Sequence, residues 1–319
     1  MDKYCKPIII VSKCLGFDEC RYNGVSVPCS IVSELRNHVD FITVCPEVEI
    51  GLGIPRKPIH IILQDASPRL LQHETNRDIT DEMNAFSVSF LKSLNAVDGF
   101  ILKGRSPSCG IKDVKLKYPG GNIIAGSHSG IFAQHVLEMF PDIPAETEGR
   151  LTNFSIREYF YTRIFALARF RQMKESGVLP DYMQFHADHK FLLLAYNEKE
   201  MRIMGKILAN QSKRPLNDVY ELYGIHLKKA LGKMPRFTSH INVLLHLLGY
   251  VSEHLNSHEK AYFLDCIEKF RTGTLPLSAP VAVLKSHIAR LNIAYLKTQT
   301  YFAPYPESLI TLHDSGKGR

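Results

Sequence analysis

GFILKGRSPSCG, Gly99 to Gly110, is a short apolar run that stops on a loop of two glycines, a proline, two serines and a cysteine. A four- to eight-residue apolar run bounded by turn residues reads as a buried strand. The loop that follows reads as a turn built to present a side chain. Four more runs share this texture: PIIIVS (7–12), FITVC (41–45), IHIIL (59–63) and GNIIAG (121–126). Between them, Val27 to Asn37, Thr80 to Ala96 and Gly130 to Met139 carry apolar residues at helical spacing, the second opening on the acidic turn TDEM that the helix dipole favours. Strands alternating with helices predict an α/β domain with a mostly parallel sheet.

From Phe154 the texture changes. Long helical stretches run to Phe302, broken by Pro and Gly at SGVLPD, SKRPLND, KMPRFT and GTLPLSAP. The expectation is an α/β domain over residues 1–150 followed by an all-α helical bundle over 151–319, with the change near PAETEGRLTN (144–153). The terminal HDSGKGR reads as a disordered tail.

A chain of 319 residues, 45% hydrophobic and 22% charged, has core enough to fold without disulfides. PIIIV is too short for a signal peptide core or a membrane span, so the expectation is a cytoplasmic protein with no membrane partner. The net charge of +7 is unevenly spread: residues 1–150 hold 16 basic and 18 acidic side chains, residues 151–319 hold 23 and 14. A basic second half suits a polyanion such as nucleic acid, or a solvated surface.

Three of the seven cysteines fall at the ends of expected strands: Cys14 after the first, Cys45 at the end of the second, Cys109 after the fourth. In a parallel sheet those ends share one edge, outside which ligands bind. The three thiols are therefore expected to converge, as soft donors suited to zinc or an iron-sulfur cluster, or else to be buried without a role. Cys20, on the loop of Cys14, is a spare fourth. Cys5, Cys29 and Cys266 read as packing residues. Near the three thiols stand Glu47, able to move a proton, Ser106, able to donate a hydrogen bond, and Lys103 and Arg105, able to hold a negative group.

SKCLG with CRYNG, then CPEVEIGLGIPR, then KGRSPSCG resemble, in this order, the motifs of the thiouracil desulfidase family over residues 5 to 150. The helical half, with FHADHK and YLKTQTYFAPYPE, resembles a second domain that occurs alone or fused to the first. The fused form is similar to desulfidases that remove sulfur from 4-thiouridine in tRNA. The resemblance implies a [4Fe-4S] cluster held by Cys14, Cys45 and Cys109 with one iron open, and non-redox replacement of C=S by C=O with release of sulfide. It implies Glu47 and Ser106 as catalytic residues; beside them Ser108, Lys103 and Arg105 read from their own chemistry as candidate substrate-binding residues.

The implied function is desulfuration of 4-thiouridine in tRNA, with the basic helical domain holding the RNA. One alternative is the same chemistry on free thiouracil or thionucleosides, the helical half serving stability or a homodimer. Another is a non-catalytic RNA-binding protein whose three thiols and Cys20 hold zinc. His186 and His189, at i, i+3 spacing, share a helix face and suit a phosphate contact or an interhelix network. Tyr223 and Phe237, beside the cations of 224–237, are candidate stacking surfaces.

Overall fold

The computed structural model describes residues 4–65, 67–75, 77–118, 122–209 and 213–310. The chain packs as two compact units, Met1–Ala168 with Tyr305–Arg319, and Arg169–Pro304. The division falls within one helix, later than the composition change at 144–153. That segment holds instead a short strand and a 3-10 turn whose Leu151 is fully buried in the first unit. HDSGKGR and Gly121 lie outside the described residues.

In the first unit, strands β1 (Ile8–Ser12), β2 (Asp40–Val44), β5 (Gly99–Leu102) and β8 (Ala145–Thr147) form a wholly parallel sheet in the order β2-β1-β5-β8. Every residue of β5 is buried, as expected of a strand covered on both faces. Helices α1 (Ser30–Leu35), α2 (Pro46–Glu49), α3 (Thr80–Lys92) and α4 (Ile131–Met139) complete the α/β pattern.

The expected run 59–63 does form a strand, but in a second sheet, β4-β3-β6-β7: β3 (Ile59–Gln64), β4 (Ser67–Gln72), β6 (Val114–Lys117) and β7 (Ile123–His128). There β3 pairs antiparallel with β4 and β6 with β7, while β3 and β6 are parallel. The sheet therefore splits where a single one was expected. The β3–β4 turn places Asp65 at φ 50° without a glycine, so the usual hairpin sequence is missing. Strand β8, AET, has Ala145 as its one apolar residue and is defined by pairing with β5 alone.

Two apolar cores serve this unit. One gathers Ile9, Val11 and Ile101 with Phe160, Tyr161, Ile164 and Phe165 from α5 (Phe154–Ser176), and with Tyr305 and Leu309. The other packs Ile10, Phe100 and Leu102 against Met83 of α3 and Phe132 and Val136 of α4. Alternate residues of β1 and β5 feed opposite cores, which is the period of a strand.

The second unit is helical: α6 (Leu179–Ala209), α7 (Leu216–Ala230), α8 (Phe237–Val251), α9 (Ser257–Arg271), α10 (Ser278–Leu291) and α11 (Ala294–Lys297). Helix α6 is interrupted at Asn197 (φ −161°, ψ 94°), whose side chain accepts the Glu200 N–H at 3.1 Å and so caps the second segment. Asn256 and Glu259 form a capping box at the start of α9. Phe191, Val243, Leu244, Leu247, Phe263 and Leu284 form the core. FHADHK and YLKTQTYF meet in it: Gln299 donates to the Ala187 carbonyl at 2.8 Å, and Thr300 to that of Asp188 at 3.2 Å.

No helix among the described residues is long and apolar enough to cross a membrane.

Candidate active site

The C-terminal ends of β2, β1 and β5 lie side by side, and each leads into a cysteine. Cys14 sits in the turn after β1, Cys45 is the residue before α2, and Cys109 lies on the loop after β5. All three line one cavity of about 390 Å³, with Cys20, Glu47, Lys103, Arg105 and Ser106. Ser12, Arg21, Tyr22 and Arg56 complete its polar wall. The topology performs this convergence, because adjacent parallel strands bring their ends within a few strand spacings of about 4.8 Å.

The loop of Cys109 is held by backbone bonds to the start of α4. Ile131 and Ala133 donate N–H to the Pro107 and Ser108 carbonyls, each at 3.1 Å, and Gly130 donates to Gly110 at 2.8 Å. The Ser106 hydroxyl accepts the N–H groups of Ser108 and Cys109 at 3.2 Å. Ser106 thus stands at the cavity wall with its oxygen fixed by the turn. Arg105 is held at φ 62°, a left-handed conformation costly for a residue with a side chain, with its N–H on Asp113 at 3.0 Å.

Glu47 is held at both oxygens. Arg56 donates Nε and Nη2 to Oε2 at 2.9 and 2.7 Å, and the Ser108 hydroxyl donates to Oε1 at 3.0 Å. Ser108 is fully buried and stands behind Glu47. Lys103 pairs with Glu148, which also accepts the Gly104 N–H at 2.7 Å, so its charge is partly neutralised inside the protein.

The site thiols are buried, and three of them, Cys14, Cys20 and Cys109, are electrically unfavourable as free anions. Burial, then the neighbouring Cys45, pushes Cys14 up to about 12. Burial raises Cys109 well above the ordinary thiol range, opposed by a hydrogen bond from Ser12. Cys20 is likewise raised to about 12 by burial and by Cys45. Such thiols are poor nucleophiles at neutral pH, whereas a bound cation draws off the proton and takes the thiolate as ligand. Among the described residues no three His, Cys, Asp or Glu converge closely enough to hold a single metal ion. Three soft donors around a cavity of about 390 Å³ fit a larger, polynuclear group.

A family model described as 2-thiouracil desulfurase matches residues 9–148, a range that contains Cys14, Cys45, Cys109, Glu47 and Ser106. The chain belongs to the 2-thiouracil desulfurase family. A second model, described as a protein of unknown function (DUF1722), matches residues 190–306. Among curated proteins, uncharacterized protein YbgA of Escherichia coli (strain K12) is 32% identical over 156 residues, 48% of this chain and 92% of that protein. Uncharacterized protein YbbK of Bacillus subtilis (strain 168) is 33% identical over 129 residues, 38% of this chain and 84% of its own. A solved structure, the [4Fe-4S]-dependent thiouracil desulfidase TudS, is 26% identical, covers 46% of this chain and 93% of its own, and superposes with a TM-score of 0.37.

Within this 2-thiouracil desulfurase unit, Arg56 is the member of the site that sequence reading passed over. It ends the CPEVEIGLGIPR motif, but nothing local shows that its guanidinium folds back onto Glu47, nine residues earlier. Glu148 was hidden in the expected interdomain linker, where it reads as a solvated charge.

In the second unit, His189 is 2% exposed, and burial pushes its imidazole down to about 3; His186 bonds the Tyr223 hydroxyl at 3.2 Å. His186 thus links α6 to α7, whereas His189 bonds the Phe185 carbonyl of its own helix at 2.8 Å and is buried too deeply to meet a phosphate. Tyr223 is fully buried and stacked on Phe170, so it offers no stacking surface. Phe237 is 53% exposed.

Proposed function

We propose that this desulfidase holds a [4Fe-4S] cluster on Cys14, Cys45 and Cys109 and converts the thiocarbonyl of 4-thiouridine in tRNA to a carbonyl, releasing sulfide. The observation that carries the reading is the single cavity shared by three buried thiols, Glu47 and Ser106. When bound, the cluster supplies a Lewis-acidic iron that polarises the C=S bond.

The protein's own groups do the rest. Glu47, with Oε2 occupied by Arg56, keeps lone-pair capacity on Oε1 to accept a proton from attacking water. Ser106, its hydroxyl oxygen fixed by two backbone N–H groups, has its O–H free of them to donate to the base. Lys103 and Arg105 add positive charge where anionic substrate groups enter. The basic surplus of residues 151–319 supports RNA as the partner of the helical unit.

A second reading, the same chemistry on free thiouracil or thionucleosides, is favoured by one observation: the cavity is built entirely from residues 12 to 109. The test is anaerobic reconstitution, then bulk tRNA carrying 4-thiouridine and free 2-thiouracil assayed in parallel by their near-UV bands. Loss of the tRNA band supports the first reading. Reaction of free base alone selects the second, and no reaction by iron-loaded protein overturns both.

A further inference from the structure

We infer that Arg56 is a positioning residue that selects which oxygen of Glu47 faces the reaction, an inference that rests on the catalytic assignment of Glu47 above. The guanidinium binds Oε2 through both Nε and Nη2, at 2.9 and 2.7 Å. Its Nη1 donates to the Cys20 carbonyl at 2.9 Å and to the Gly53 carbonyl at 3.1 Å. Its backbone N–H donates to the Tyr22 carbonyl at 2.8 Å. Arg56 is therefore anchored to the Cys20–Tyr22 segment and to its own loop, and from that anchor it fixes the carboxylate.

Its side chain is 3% exposed, that of Glu47 14%. Buried ion pairs are often no more stabilising than apolar replacements, so stability alone is a weak reason for one here. Geometry is a better reason. The fork takes Oε2 out of play, and Ser108 takes one lone pair of Oε1, leaving a single oxygen to meet a proton. A lysine would keep the charge and lose the fork, because an ammonium has no fixed planar pair of donors.

The test compares Glu47→Gln, Arg56→Lys and the double variant in the full reconstituted chain, with 2-thiouracil and with tRNA carrying 4-thiouridine. Iron per chain and the thermal melt are measured alongside kcat and KM. Arg56→Lys is expected to lower kcat about 10- to 100-fold, the scale of an ångström misplacement, with KM within about threefold and iron and melting unchanged. The double variant is expected to be no slower than Glu47→Gln. Full kcat in Arg56→Lys, losses that multiply in the double variant, or loss of iron or of the melt in Arg56→Lys would each overturn the inference. A fully active Glu47→Gln would instead remove the catalytic assignment, and the inference with it. An inactive Glu47→Gln beside a fully active Arg56→Lys removes the inference alone.

Discussion

Gly130 lies so close to Ser108 that a Cβ added to it would stand 2.5 Å from the Ser108 carbonyl carbon and oxygen. The start of α4 and the loop of Cys109 are thus in backbone contact, and only glycine permits it. Gly110 is confined similarly, by Asp113 and Val114 at 2.5 Å.

Gly130→Ala should push the 106–109 segment away from α4. Overpacking of this kind costs about 1–3 kcal/mol, and an ångström shift of Cys109 and Ser106 should lower turnover on the order of 100-fold. Melting temperature, iron per chain and kcat measured together check this; a variant with wild-type values in all three would show that the contact relaxes freely.

Serine replacements of Cys14, Cys45 and Cys109, made singly, should each reduce iron in the reconstituted protein severely, because a neutral hydroxyl is a poor ligand for iron. Cys20→Ala should keep its iron and its activity. The Cys20 thiol lines the same cavity, so anaerobic iron and sulfide analysis of the four variants decides whether three or four cysteines bind.

Removing the side-chain amide of Gln299 should destabilise the helical unit. Gln299→Leu leaves the Ala187 carbonyl without its 2.8 Å donor, a loss of about 1–3 kcal/mol. The check is urea unfolding followed by the helical circular dichroism signal.

Acid should weaken the same unit before it protonates most carboxylates. Burial lowers His189 to about 3 and His240 to about 4 in the folded chain, against an unfolded value of about 6.5. A histidine lowered on folding binds fewer protons in the native state than in the unfolded one. Its stabilising effect is complete above the unfolded value and is lost as pH falls from about 6.5 towards the folded value. Each imidazole contributes a slope of up to about 1.4 kcal/mol per pH unit in that window. His189→Phe should flatten the fall of the urea midpoint between pH 6.5 and 4; an unchanged slope would place the titration elsewhere.

If the helical unit holds tRNA, affinity should fall steeply with salt, and Phe237→Ala should weaken it by about 1–3 kcal/mol through lost base stacking. Binding curves at several salt concentrations measure both effects.

The sequence by itself determined the class of each half, because short apolar runs bounded by turn residues and Pro- and Gly-punctuated helical runs are local patterns that burial enforces directly. It also placed Cys14, Cys45 and Cys109 at strand ends, and the parallel order β2-β1-β5 turns that into convergence. Tertiary structure alone decided the rest. Strand β3 left for a second sheet and AET became β8, because pairing partners are chosen by packing across long sequence separations. Ser108 went behind Glu47, and Arg56 and Glu148 came inside, because a charged side chain in a loop looks the same in sequence whether it meets water or a buried partner. Only the fold supplies the partner that makes its burial tolerable.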